Sequence, residues 1–161
     1  MVVASHFKGL SMEQKILPVY QVVITALLMV LTIKLFPSFY YTFPFKFLIF
    51  SLLIFLAFLI AFIAVYSFRK HKTTVNPTKP ETTSKIIQTG PYSFSRNPMY
   101  LALLIVLIAV GVLCENSLAF VPLPLFVWFI TTYQIKPEEK ALTKYFGEEY
   151  KQYLLNVRRW V

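Results

Sequence analysis

The sequence predicts an all-α polytopic membrane protein, one domain over residues 1–161, with four transmembrane helices, a cytoplasmic loop region and a C-terminal amphipathic helix. Composition, apolar runs and charge placement predict it. The 161 residues are 57% hydrophobic and 17% aromatic, too oily for an ordinary water-soluble domain. The apolar residues gather into runs at about 16–36, 45–68, 98–114 and 118–135. The net charge is +9, with no aspartate, and it lies almost wholly between those runs. A basic excess on so apolar a chain points to a membrane surface and not to nucleic acid.

The first fifteen residues are mixed and polar. They do not read as a signal peptide, because the following apolar run is too long and no small-residue cleavage site closes it. Run 16–36 spans about 30 Å as helix, enough for a hydrocarbon core. Pro18 sits in its first turn, where a missing N–H costs nothing, and Lys34 near its end can snorkel. The loop FPSFYYTFP, residues 36–44, has two prolines that break helix and aromatics suited to the headgroup belt. Run 45–68 carries a single charge, Lys46, at its start.

The longest polar segment, 69–97, opens with RKHK. Pro77, Pro80 and Pro91 forbid one continuous helix there, while Ile86 and Ile87 form an apolar island. A loop of this length is uncommon unless it is functional or disordered, and its turn signals and aromatics favour function. It ends in TGPYSFSRNPMY, residues 89–100, with Asn97 placed as N-cap and Pro98 as first residue of the third helix. Glu115-Asn116-Ser117 is a tight polar turn, so the third and fourth helices are antiparallel neighbours. Pro122 and Pro124 are expected to distort the first half of the fourth. Beyond it, Leu142, Tyr145, Phe146, Tyr150, Tyr153 and Leu154 recur at spacings of three and four and read as one helical stripe. Glu138 and Glu139 suit the start of that helix, and the closing VRRWV suits a membrane surface.

Of sixteen Lys and Arg residues, only Lys34 and Lys46 lie outside the N-terminal segment, the 69–97 loop and the segment after residue 135. The positive-inside rule therefore places both termini and the 69–97 loop in the cytoplasm, with the protein in the inner or plasma membrane if bacterial. The lone Cys114 forms no internal disulfide, and His6 and His71 are too far apart in sequence to suggest a metal site. No charge lies deep in any run, which disfavours a transporter. The topology brings Arg96 close to Glu138 at the cytoplasmic interface. On residue type alone, Arg96 is more often an interfacial anchor and Glu138-Glu139 a dipole complement, while Tyr92 and Tyr100 are as readily belt aromatics as site residues.

The ordered set GPYSFSRNPMYL, a hairpin, then QIKPEEKALTKYFGEEYKQY resembles the integral-membrane methyltransferases. That family includes isoprenylcysteine carboxyl methyltransferases and phospholipid methyltransferases. The stretches KILPVYQVVITALLMVL and TTVNPTKPE look like its bacterial isoprenylcysteine-type branch. The resemblance implies S-adenosyl-L-methionine as methyl donor, S-adenosyl-L-homocysteine as product, and a lipophilic or lipidated acceptor reached from the bilayer. It implies a cofactor region over 73–100 and 134–155. Cofactor contacts fall on Ser84, Lys85, Ile86, Ile87, Gly90, Tyr92, Asn97, Pro98, Met99, Tyr100 and Glu139. Substrate contacts fall on Gln134, Glu138 and Asn76, and catalytic roles on Arg96 and Glu138. No metal and no nucleic acid enter.

The chemistry is consistent with these residue types. Aromatic faces attract cationic groups, glutamates pair with an ammonium, and an arginine or a helix N-terminus binds a carboxylate. Direct methyl displacement needs alignment more than a covalent nucleophile. Only four glycines and no glycine-rich loop speak against a dinucleotide-type fold. Asn97 stands where the isoprenylcysteine enzymes commonly have histidine, and Gln134 where they carry an arginine. The leading reading is isoprenylcysteine-type O-methylation of a carboxylate, and phospholipid N-methylation of ethanolamine headgroups is the alternative. A non-catalytic scaffold that keeps the fold is the alternative of another class.

Overall fold

The computed structural model describes residues 18–70 and 86–161. These residues form α1 (Pro18–Leu35), α2 (Lys46–Lys70), α3 (Pro98–Leu113), α4 (Pro122–Ile130), α5 (Lys136–Phe146) and α6 (Glu148–Asn156). Short 3-10 turns at Pro37–Phe39, Gly90–Ser93 and Ser117–Phe120 join them, and no strand occurs among the described residues. Asn76, Ser84 and Lys85, named above as site residues, lie outside the described residues.

Three helical stretches are long and apolar enough to cross a membrane: Pro18–Leu35, Lys46–Ser67 and Ser117–Phe146. Pro98–Leu113 is apolar but shorter. This shorter helix, α3, is the centre of the fold. Leu101, Ala102 and Ile105 pack against Ala57 and Ile60 of α2. Tyr100 and Leu107 join Met29 of α1 and Leu123, Phe126 and Ile130 of α4. A helix that is apolar all round packs on more than one side, and α3 buries eight of its 16 residues against its neighbours.

The outer helices bury only narrow stripes. In α1 the buried residues are Gln21, Thr25 and Met29, each four apart. In α2, Ala57, Ile60, Ala64 and Ser67 face inward. The small Ala57, Ala64 and Ser67 among them let α2 lie close to α3. The opposite face of α2 exposes Phe47, Phe55, Phe58 and Phe62. So continuous an apolar surface needs lipid around it, and this is a membrane protein.

The polar turn between α3 and α4 does more than reverse the chain. Gly111 leaves room for Phe120, since a Cβ there would sit 2.6 Å from the ring. Glu115 adopts a left-handed φ of 47°, unfavourable for a residue with a Cβ. Its carboxylate accepts bonds from Lys46 Nζ at 2.6 Å, Phe43 N–H at 2.9 Å and Tyr40 hydroxyl at 2.9 Å. Its carbonyl accepts from Tyr41 N–H at 2.8 Å, and Asn116 Nδ2 donates to Phe36 O at 3.0 Å. The α1–α2 loop is thereby clasped to the α3–α4 turn.

Lys46 first, then the Phe43 N–H and the Tyr40 hydroxyl, hold the Glu115 carboxyl at about 2, below an ordinary value of 4.5. A carboxyl depressed in the folded state stabilises it above the unfolded value, and that contribution fades as pH falls through the folded one. The melting temperature should therefore drop between pH 4.5 and 2, more steeply in the wild type than in Glu115→Gln. Parallel acid profiles in the two proteins would remove the clasp from the stability of the fold.

Two expectations need correction. Pro122 and Pro124 do not distort a helix, because α4 starts at Pro122 and both lie in its first turn, where the N–H groups have no helical partner. The irregularity falls later, in a π-helical turn at Thr131–Ile135 whose widening ends at Lys136 N–H bonded to Thr131 O. Pro137 follows it directly and cannot donate to the carbonyl four residues back. The C-terminal stripe is likewise not one helix. Gly147, with φ 58° and ψ −124°, divides it into α5 and α6. Tyr150 and Tyr153 are buried, whereas Tyr145 is exposed.

Candidate functional site

The helical path from Ser117 to Phe146 covers 30 residues. At about 1.5 Å per residue it exceeds a hydrocarbon core by roughly 15 Å. Its final turns, which carry Glu138 and Glu139, are thus free to meet the segment entering α3. That segment is ordered by its own turn chemistry. Gly90 supplies a φ of 64°. The Ser93 hydroxyl donates to Gly90 O at 2.7 Å, and Ser95 N–H donates to Pro91 O at 3.1 Å. The Ser95 hydroxyl then accepts the Asn97 N–H at 3.2 Å. Asn97 occupies the N-cap position, but its side chain makes no capping bond. Its Nδ2 donates instead to Arg159 O at 3.0 Å.

Consecutive glutamates on a helix point about 100° apart and here take different partners. Glu138 accepts the Tyr100 hydroxyl at 2.5 Å. Glu139 accepts Arg96 Nη2 at 2.8 Å, Arg159 Nη2 at 2.7 Å and Arg159 Nε at 3.1 Å. Arg96 therefore meets the second glutamate, one residue beyond the expected Glu138. Its Nη1 donates to Leu154 O and Val157 O, each at 2.9 Å. Those carbonyls end α6 and have no helical donor, so the guanidinium closes the helix. The Arg96 Nε–H is buried without a partner.

Four tyrosines wall the cluster. Tyr92 packs with Ala64 and Ile87, which seats the apolar island on α2. Tyr153 donates its hydroxyl to Tyr92 O at 2.7 Å, and Tyr150 and Tyr153 rings lie 5.8 Å apart. Burial first, then the neighbouring Tyr153 and Glu138, pushes the Tyr92 phenol above its ordinary value. Burial and then the Glu139 charge do the same for Tyr150, and burial does so for Tyr153. These phenols stay protonated at neutral pH, and the Tyr153 hydroxyl serves as a donor.

Among the expected site residues, Tyr92, Arg96, Asn97, Pro98, Tyr100, Glu138 and Glu139 converge where α3 begins and α5 begins. Ile87 and Gly90 sit on the α2 side of the loop, where Gly90 faces Ser67 and Ile63. Ile86 is half-buried, Met99 is 40% exposed, and Gln134 is buried on the π-helical turn. Sequence reasoning missed Tyr150, Tyr153, Arg159 and Trp160. The VRRWV end, expected at a membrane surface, folds back on the protein. Arg96 N–H bonds Arg158 O at 3.0 Å, and Trp160 Nε1 donates to Thr131 Oγ1 at 3.1 Å. Two arginines and an indole directly after a short helix were the available signal.

Comparison with known proteins places the chain in a family. The family model described as phospholipid methyltransferase matches residues 45–149. An uncharacterized Haemophilus influenzae protein is 43% identical over 63 residues, covering 39% of this chain and all of that protein. The protein-S-isoprenylcysteine O-methyltransferase of Saccharomyces cerevisiae is 36% identical over 76 residues, covering 47% of this chain and 32% of that enzyme. The chain thus spans about a third of the yeast relative's length. No solved structure matches. The matched region runs from the start of α2 through Tyr92, Arg96, Tyr100, Glu138 and Glu139 to the first residues of α6, stopping short of Tyr150, Tyr153 and Arg159, and the chain belongs to the phospholipid methyltransferase family.

Proposed function

We propose that this protein is an S-adenosylmethionine-dependent methyltransferase of the membrane. In this reading four helices span the bilayer, α3 being the short one, with both termini and the 69–97 loop cytoplasmic. The acceptor is lipophilic and arrives from the bilayer. The observation that carries the reading is Glu138 joined to Tyr100, beside Tyr92, where the loop enters α3. When bound, the cofactor supplies an electrophilic methyl on a sulfonium.

The residues present fit such a molecule. Glu138 keeps acceptor capacity after its bond to Tyr100 and is the carboxylate suited to the donor's ammonium. Buried aromatic faces of Tyr92 and Tyr100 suit cationic groups. In this reading Ile86, Ile87 and Gly90 would supply the loop side of the donor pocket, and Asn97, Pro98 and Met99 the α3 side. The unpartnered Arg96 Nε–H faces one remaining polar need, while its other nitrogens hold the site together. Gln134 and Glu138 line the acceptor side.

A carboxylate acceptor needs no base. An amine acceptor must lose a proton, and Glu138 is the group placed to take it. The yeast relative's name supports the first acceptor; the family model's description supports the second. Calorimetry with S-adenosylmethionine should give saturable binding in detergent and in lipid, and silence in both would end the donor reading. Labelled donor offered with a prenylcysteine or with ethanolamine lipid separates the acceptors, since one yields a base-labile methyl ester and the other a methylated amine.

A further inference from the structure

Residues 157–160 form a strap across the mouth of α3. Val157 O accepts Arg96 Nη1, Arg158 O accepts Arg96 N–H, and Arg159 O accepts Asn97 Nδ2. The Trp160 ring packs against both apolar clusters flanking α3, and its Nε1 is tied to Thr131, the first residue of the π-helical turn. The strap therefore touches α3 and the α4–α5 junction, the elements that present Tyr100 and Glu138. Its charged link is Arg159, whose fork meets both oxygens of Glu139. With Arg96 on the same carboxylate, Glu139 accepts three donors, two on Oε1 and one on Oε2.

We infer that Arg159 is a positioning residue of the methyl-transfer site. Through its fork to Glu139 it docks the strap and sets the first turn of α5, which leaves Glu138 as the carboxylate presented to the donor. The inference rests on the proposed donor pocket. Arg159 itself touches neither donor nor acceptor. Its planar fork matches both oxygens of one carboxylate, which a lysine ammonium meets only as a point charge. Loss of such support displaces a site by fractions of an ångström, enough for about ten- to hundredfold in binding or rate.

The test has one arm independent of the donor. In a Trp128→Phe background, Trp160 is the remaining tryptophan, and its emission reports strap docking. Arg159→Ala and Glu139→Gln should each shift that emission to the red in the absence of donor. An unshifted spectrum in both overturns the strap, whatever the donor does. In the second arm, S-adenosylmethionine affinity should fall about ten- to hundredfold in Arg159→Ala, with a smaller loss of kcat at saturating donor. Arg159→Lys should restore part of the affinity, because charge returns without the fork. Equal loss in the Ala and Lys variants, or wild-type affinity in Arg159→Ala, overturns the positioning role. If Arg159→Ala does not fold, Arg159→Lys and Glu139→Gln carry both arms. A wild type that binds no donor, with the emission shifts intact, refutes the donor reading and leaves the strap standing.

Discussion

Arg96→Ala is expected to be the most destabilising single substitution among the site residues. The guanidinium is nearly buried, with its side chain 9% exposed, and so is the Glu139 partner at 11%. Its removal leaves the Leu154 and Val157 carbonyls without donors and takes one of three donors from Glu139. Glu139 keeps Arg159, so the cost comes mainly from the two carbonyls, at about 1–3 kcal/mol for each acceptor left unsatisfied. For a chain of this size that corresponds to a fall of order 10 °C in melting temperature. Arg96→Lys should recover only a fraction, since one ammonium cannot reach acceptors on α5 and at the end of α6 together. Lys151→Ala is the control. Its pair with Glu148 is 3.0 Å long but exposed on both sides, and such pairs contribute about 0–1 kcal/mol. If Arg96→Ala melts within a few degrees of wild type, the guanidinium does not hold α6 to α3.

Glu138→Gln is expected to separate function from stability. The amide oxygen still accepts from Tyr100, so melting should change little. What disappears is the negative charge that the donor's ammonium requires. A charge-assisted hydrogen bond contributes about 1.5–3 kcal/mol, which predicts roughly ten- to hundredfold weaker binding of S-adenosylmethionine. With an amine acceptor the loss extends to kcat by about 10²–10⁴, because general-base catalysis is removed as well. Tyr100→Phe, which keeps the charge and deletes the phenol, should cost less than Glu138→Gln. Unchanged affinity and turnover in Glu138→Gln would mean that the working carboxylate lies elsewhere.

The membrane class was legible because it depends on sums over many residues. The phenylalanines of α2 and the long apolar runs report their environment whatever their neighbours are. The meeting of the 89–100 segment with Glu138-Glu139 was also legible, since a short turn fixes antiparallel helices. Which glutamate meets Arg96 was not. That choice turns on the π-helical turn at Thr131–Ile135, which rotates every later side chain on the helix relative to a regular one. Glu115 was read as part of a simple turn, because its partners Tyr40, Phe43 and Lys46 lie some seventy residues earlier in the chain.

The same distinction separates the Asn97 side chain from the Pro98 that follows it. Pro98 starts α3 by local chemistry alone, and the sequence by itself determined that boundary, along with the helical membrane class and the family motifs. Only the tertiary structure decided that Asn97 bonds Arg159 instead of capping, that Arg96 closes α6, and that VRRWV folds back onto the start of α3. Local propensity and hydrophobic pattern act over one or two helical turns, and these appear in the sequence. A buried guanidinium or carboxylate selects whichever donors and acceptors the packed helices bring within 3 Å, and that selection is made only after the chain has folded.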